Sequence, residues 1–72
     1  MIMKMRLEDA MVYTLATAGR GMTTDQLAQK INEDRLHVRV DGNPVTSAQV
    51  YAAVCRNHTI FIKEGGIIHL SM

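Results

Sequence analysis

Arg35, Arg39, Arg56 and Lys63 are basic side chains within a 72-residue chain that holds eight lysines and arginines against seven aspartates and glutamates. Each can meet a phosphate, and a handful of such contacts gives a modest affinity that weakens as salt rises, because counterions are released on binding. The formal net charge of +1 neither demands nor excludes an anionic partner; the placement of the charges decides. Cys55 and His58 have the C-x-x-H spacing of half a zinc site, but His37 and His69 do not supply the second half at ligand spacing. No metal or other cofactor is expected, and Cys55 reads as a small helix residue. Catalytic signals are weaker still. There is no acid pair on a shared helical face and no nucleophile with a base at motif spacing, and the GRG at 19–21 and EGG at 64–66 are too short for a phosphate-cradling loop. Tyr13 and Tyr51 are read as amphipathic packing residues, and an enzyme is the least expected class.

The elements that must position these residues begin with a pattern written twice. MTTDQL at 22–27 and VTSAQV at 45–50 each place a threonine three residues before a glutamine, flanked by apolar residues. That is a capping box, with Met22 and Leu27, then Val45 and Val50, at the positions of a hydrophobic staple. Thr23 and Thr46 should each contribute about 1 kcal/mol as caps. Before the first box, Leu7, Ala10, Met11, Leu15 and Ala18 recur at helical spacing, so a first helix is expected over 6–18, stopped by Gly19. The second helix should carry Leu27, Ala28 and Ile31 inward and end near Asn32. The third should run from Ser47 to about Asn57 with Val50, Ala53 and Val54 inward.

Between the second and third helices, RLHVRV at 35–40 alternates, and is expected to form a short strand with Leu36, Val38 and Val40 on one side and Arg35, His37 and Arg39 on a wet, basic one. DGNP at 41–44 is a turn. At the end of the chain, TIFIKEGGIIHL at 59–70 reads as a hairpin around EGG. Phe61, Ile68 and Leu70 are placed inward, which leaves Ile60, Ile62 and Ile67 on a second apolar face. That face should be covered, by the N-terminal Ile2 and Met3, by a second copy in a homodimer, or by a larger protein assembly.

A chain of this length makes one domain, spanning residues 1–72, with a thin core margin of roughly 3–5 kcal/mol. An apolar fraction of 47% argues against disorder. Cys55 is the only cysteine, so a disulfide-stapled secreted fold is excluded and a reducing, cytoplasmic setting fits. The opening MIMKMRLEDA lacks the apolar stretch of a signal peptide, and no run reaches the length of a membrane span. No membrane partner is expected.

The order helix, helix, strand, helix, hairpin describes a small α+β winged helix. GRGMTTDQLAQKI at 19–31, G-x-P-V-T-x-x-x-V at 42–50 and F-x-K-x-G-G-x-I-x-L at 61–70 resemble the winged helix-turn-helix family, and within it the HARE-type helix-turn-helix domains. Such domains occur in chromatin proteins, restriction systems and a subunit of some bacterial RNA polymerases. The resemblance implies binding to double-stranded DNA, in a regulatory role, with the third helix in the major groove and the wing on the backbone. By position it implies contacts from Ser47, Gln49, Tyr51, Ala52 and Arg56 on the third helix and from Lys63 and His69 on the wing. The connection from about Glu33 to Val45 is longer than the turn of a compact helix-turn-helix. The alternative is a protein-interaction module that uses Ile60, Ile62 and Ile67 without touching DNA.

Overall fold

Both capping boxes form. In the computed structural model, which describes residues 5–39 and 41–71, the Gln26 N–H donates to Thr23 Oγ1 (3.1 Å) while the Thr23 N–H donates to Gln26 Oε1 (3.0 Å). The Gln49 N–H and Thr46 Oγ1 (3.3 Å), with the Thr46 N–H and Gln49 Oε1 (3.1 Å), repeat the arrangement. These boxes start α2 (Thr24–Asp34) and α3 (Ser47–Arg56). They follow α1 (Leu7–Ala18), whose N-cap is Arg6, a side chain that makes no cap bond. Gly19 ends α1 in the left-handed region (φ 69°), its N–H donating to the Leu15 carbonyl at 3.0 Å.

Helix α2 runs past Asn32, its expected end, to Asp34. Asn32 has another task. Its amide donates to the Val45 carbonyl (2.9 Å) and its carbonyl accepts the Val45 N–H (2.9 Å), so it pins the start of α3 to α2 as a strand neighbour would. The helix closes on a Schellman motif, with the Arg35 N–H on the Asn32 carbonyl (3.3 Å) and the Leu36 N–H on the Ile31 carbonyl (3.1 Å). Arg35 occupies the left-handed position (φ 53°) that glycine usually fills.

The strand expected over 35–40 does not form among its described residues, and Val40 lies outside them. Among the described residues one backbone bond, from the Met5 N–H to the Leu36 carbonyl (3.0 Å), lies alongside, and one bond makes no ladder. The alternation had separate local causes: Leu36 closes the Schellman motif, His37 turns its Nδ1 to the Met5 carbonyl (2.7 Å), and Arg39 pairs with Asp41, leaving Val38 exposed.

The hairpin consists of β1 (Phe61–Glu64) and β2 (Ile67–Leu70), with Phe61 opposite Leu70 and Glu64 opposite Ile67. Gly65 and Gly66 both take positive φ (58° and 82°), which makes the connection the two-residue type I′ turn that matches strand twist. The third strand-like element is Met22, between α1 and α2. Its N–H donates to the Ile68 carbonyl (3.1 Å) and its carbonyl accepts the Ile68 N–H. Gly21, one residue before, lies so close to β2 that a Cβ there would collide with the Ile67 and His69 side chains.

The core joins all five elements: Leu7, Ala10, Met11 and Leu15 of α1, Leu27, Ala28 and Ile31 of α2, Val50, Ala53 and Val54 of α3, and Phe61 and Ile68 of the hairpin, with Val45 between. Leu70 packs against it half-buried. Buried Thr14 donates its hydroxyl to the Ala10 carbonyl at 2.8 Å, which satisfies the polar group inside its own helix. The three helices and C-terminal hairpin have the element order of a winged helix.

Candidate nucleic-acid interface

Burial of Val50, Ala53 and Val54 fixes the rotation of α3. It leaves Ala48, Tyr51, Ala52, Cys55 and Arg56 exposed. At 100° per residue, the outermost positions are Ala48, Ala52 and Cys55, with Tyr51 on one flank and Gln49 and Arg56 on the other. The helix contains no acidic residue, and its one basic residue, Arg56, sits in the last turn where positive charge suits the helix dipole.

Two residues expected at the interface meet on the first flank. Lys63 shares a face of the hairpin with Phe61 and Ile68. That face turns toward α3, and the Lys63 ammonium lies 4.5 Å from the centroid of the Tyr51 ring. A cation over an exposed ring contributes on the order of 0.5–1 kcal/mol. It also ties the wing to the helix and holds a positive charge beside it.

The other expected residues are placed less freely. Gln49 is half-buried and its side-chain oxygen is engaged by the Thr46 N–H, so it is a cap first. Ser47, the first residue of α3, is also half-buried. His69 does not project from the wing; its ring packs against Gly21. Arg39 is not a free charge. Its guanidinium meets the Asp41 carboxylate at 2.7 Å and reaches the Pro44 carbonyl at 3.4 Å. The Asn43 N–H holds the Asp41 carboxyl below the usual aspartate value, and Arg39 adds to the effect. Arg35 is exposed at the end of α2. The single basic face expected from Arg35, His37 and Arg39 is therefore broken up, each residue held by a different local device.

Arg6 is the residue that sequence reasoning missed, and the alternation over 35–40 sets His37 on a basic strand face without its neighbours across the chain. Arg6, Glu8, His37, Gln49, Ala52 and Arg56 line one open groove between the start of α1 and the flank of α3. His37 also borders a groove with Arg39, Asp41 and Gln49, and a third with Asn32, Arg35 and Asn43. No local pattern announces this convergence, because residues 6, 35–39 and 49–56 are brought together by tertiary contacts, the packing of α1 on α3 and the bonds of Met5 to Leu36 and His37.

On the hairpin's other face, Ile60 and Ile62 remain 41% and 45% exposed. Ile67 shares that face by register but is half-buried, with the backbone of Gly21 against it. Ile2 and Met3, the intramolecular cover considered for this face, lie outside the described residues. Cys55 is exposed, and among the described residues no three histidine, cysteine or acidic side chains come together as a metal site. No helix among them is long and apolar enough to cross a membrane. Comparison with known proteins finds no matching family model, no matching curated protein and no matching solved structure.

Proposed function

We propose that the chain binds double-stranded DNA through α3 and the wing, chiefly by contacts to the phosphate backbone, in a regulatory setting within a reducing cytoplasm. The observation that carries this reading is the Lys63–Tyr51 contact, which joins the wing to a helix free of acidic residues. An α-helix fits the major groove, about 12 Å wide. Exposed Ala48, Ala52 and Cys55 would face the bases there, and none offers the bidentate hydrogen bonding that reads a base edge. Affinity then comes from Lys63, Arg56 and Arg35 on phosphates, and sequence preference is weak.

Three phosphate contacts give a log–log salt slope of about −2.7, so raising salt from 50 to 200 mM should weaken binding roughly 40-fold. Gel shift or anisotropy titrations of a short duplex test this. The double variant Arg56→Glu with Lys63→Glu should lose retention in low salt. Wild-type protein that fails to bind at high micromolar concentration in low salt would sink the proposal.

A second reading rests on the half-exposed Ile60 and Ile62. In it the hairpin docks on a second copy or on a larger protein assembly, and α3 plays no part with DNA.

A further inference from the structure

Three surface grooves meet at His37, and four of the chain's five arginines, Arg6, Arg35, Arg39 and Arg56, line them. We infer that this junction is a phosphate-binding hub, and that it takes a backbone phosphate of the duplex on the side of α3 opposite Lys63. The inference rests on the DNA-binding reading above and deepens it by assigning a second phosphate site in which Arg6 and His37, outside α3 and the wing, join Arg56 of α3.

Charge comes first. The acids at the junction are Glu8 and Asp41, and Asp41 is occupied by Arg39. Arg6, Arg35 and Arg56 form no ion pair with any described residue. Three unpaired guanidiniums from three separate segments therefore border connected grooves with one free carboxylate among them. A guanidinium fork matches a phosphate geometrically, and Arg6 and Arg56 line the same groove.

Preorganisation is the second argument. The His37 Nδ1 is fixed 2.7 Å from the Met5 carbonyl. A carbonyl only accepts, so Nδ1 carries the hydrogen, and this bond fixes the ring at the junction of the grooves. Gln49 is held by its capping box and Arg39 by Asp41. Side chains held in place this way lose less entropy when a ligand arrives.

Geometry supplies the partner. Gln49, Ala52 and Arg56 recur at i, i+3 and i+7 and form the flank of α3 that borders the hub, while Tyr51 and Lys63 mark the opposite flank. A helix lying in the major groove has a phosphate strand on each side. The hub and Lys63 are placed to meet one strand each.

Titration with a short duplex and, separately, with inorganic pyrophosphate separates the two ideas. Pyrophosphate should shift the His37 Cε1–H and the Arg6 and Arg56 Nε–H resonances while leaving the Lys63 ammonium unmoved. Arg6→Gln should weaken duplex binding several-fold and reduce the salt slope by about 1. Glu8→Gln should strengthen binding several-fold, an effect that a damaged fold cannot mimic. A duplex that binds Arg6→Gln and wild type alike in affinity and slope would overturn the hub while leaving the α3–wing reading intact. Pyrophosphate shifts at His37 without any duplex retention would support a phosphate site and overturn its assignment to DNA. Resonances that ignore pyrophosphate, together with an Arg6→Gln variant like wild type, would overturn the hub outright.

Discussion

Arg35 takes φ 53° at the end of α2, a conformation that costs an L-residue roughly 1–2 kcal/mol and glycine little. The fold would be better served by glycine there, and the binding reading proposed above gives the exposed arginine side chain a use that glycine lacks. Arg35→Gly should raise stability by up to about 1 kcal/mol in chemical denaturation while weakening duplex binding. A variant that is more stable and binds as well as wild type would remove Arg35 from the interface. The two threonine caps are the converse case, residues whose local role serves the fold alone. Thr23→Ala and Thr46→Ala should each lower stability by about 1 kcal/mol, read as unfolding midpoints, and the mutant that melts like its parent marks a helix that starts elsewhere. These caps were legible in the sequence because the whole device lies within four residues. The hub was not, since its arginines have no common period and only the packed helices bring residues 6, 37 and 56 to one groove.

Among the elements, helix starts, inward faces and the hairpin follow from short-range chemistry and are found where the pattern places them, except that Ala18, expected on the inward face of α1, is exposed at the helix end and buried Thr14 takes part in that face instead. The one strand that fails is instructive. RLHVRV has the period of a strand, but among the described residues no strand pairs with it, and a strand is defined by what lies beside it and not by its own alternation. On its edge away from β1, β2 is met by Met22, a single residue in a GRGM stretch with no alternation at all. What marks the place is Gly21, which lets the backbone approach Ile67 and His69. Gly21→Ala should therefore force both side chains aside and weaken the bridge between Met22 and Ile68. Amide exchange at Met22 and Ile68 should speed up relative to α3, and the melting temperature should fall. Unchanged protection at these two amides would show that the close approach is not what holds the third strand position.

For the whole molecule the open question is whether Ile60 and Ile62 define an interface, and magnitudes argue for a weak one. Each isoleucine is already more than half covered, so completing its burial recovers about 1 kcal/mol, or about 4 kcal/mol for the four in a symmetric pair. Pairing two β1 edges would add a short ladder, worth roughly 0.5–1.5 kcal/mol per net hydrogen bond. Association costs on the order of 4–15 kcal/mol in lost rigid-body freedom before these gains count. The terms nearly cancel, and they predict a chain that is monomeric at the low micromolar concentrations where duplex binding is measured, with association only at much higher concentration. Lys63 and Glu64 on the same edge strand work in the same direction, since charges on an edge discourage pairing. Sedimentation over a wide concentration range should find wild type and Ile62→Lys both monomeric at low micromolar, with equal affinity for a duplex. The opposite result, a tight wild-type dimer that Ile62→Lys dissociates, would make the hairpin face a protein interface and transfer the favoured reading from DNA to a second copy of the chain.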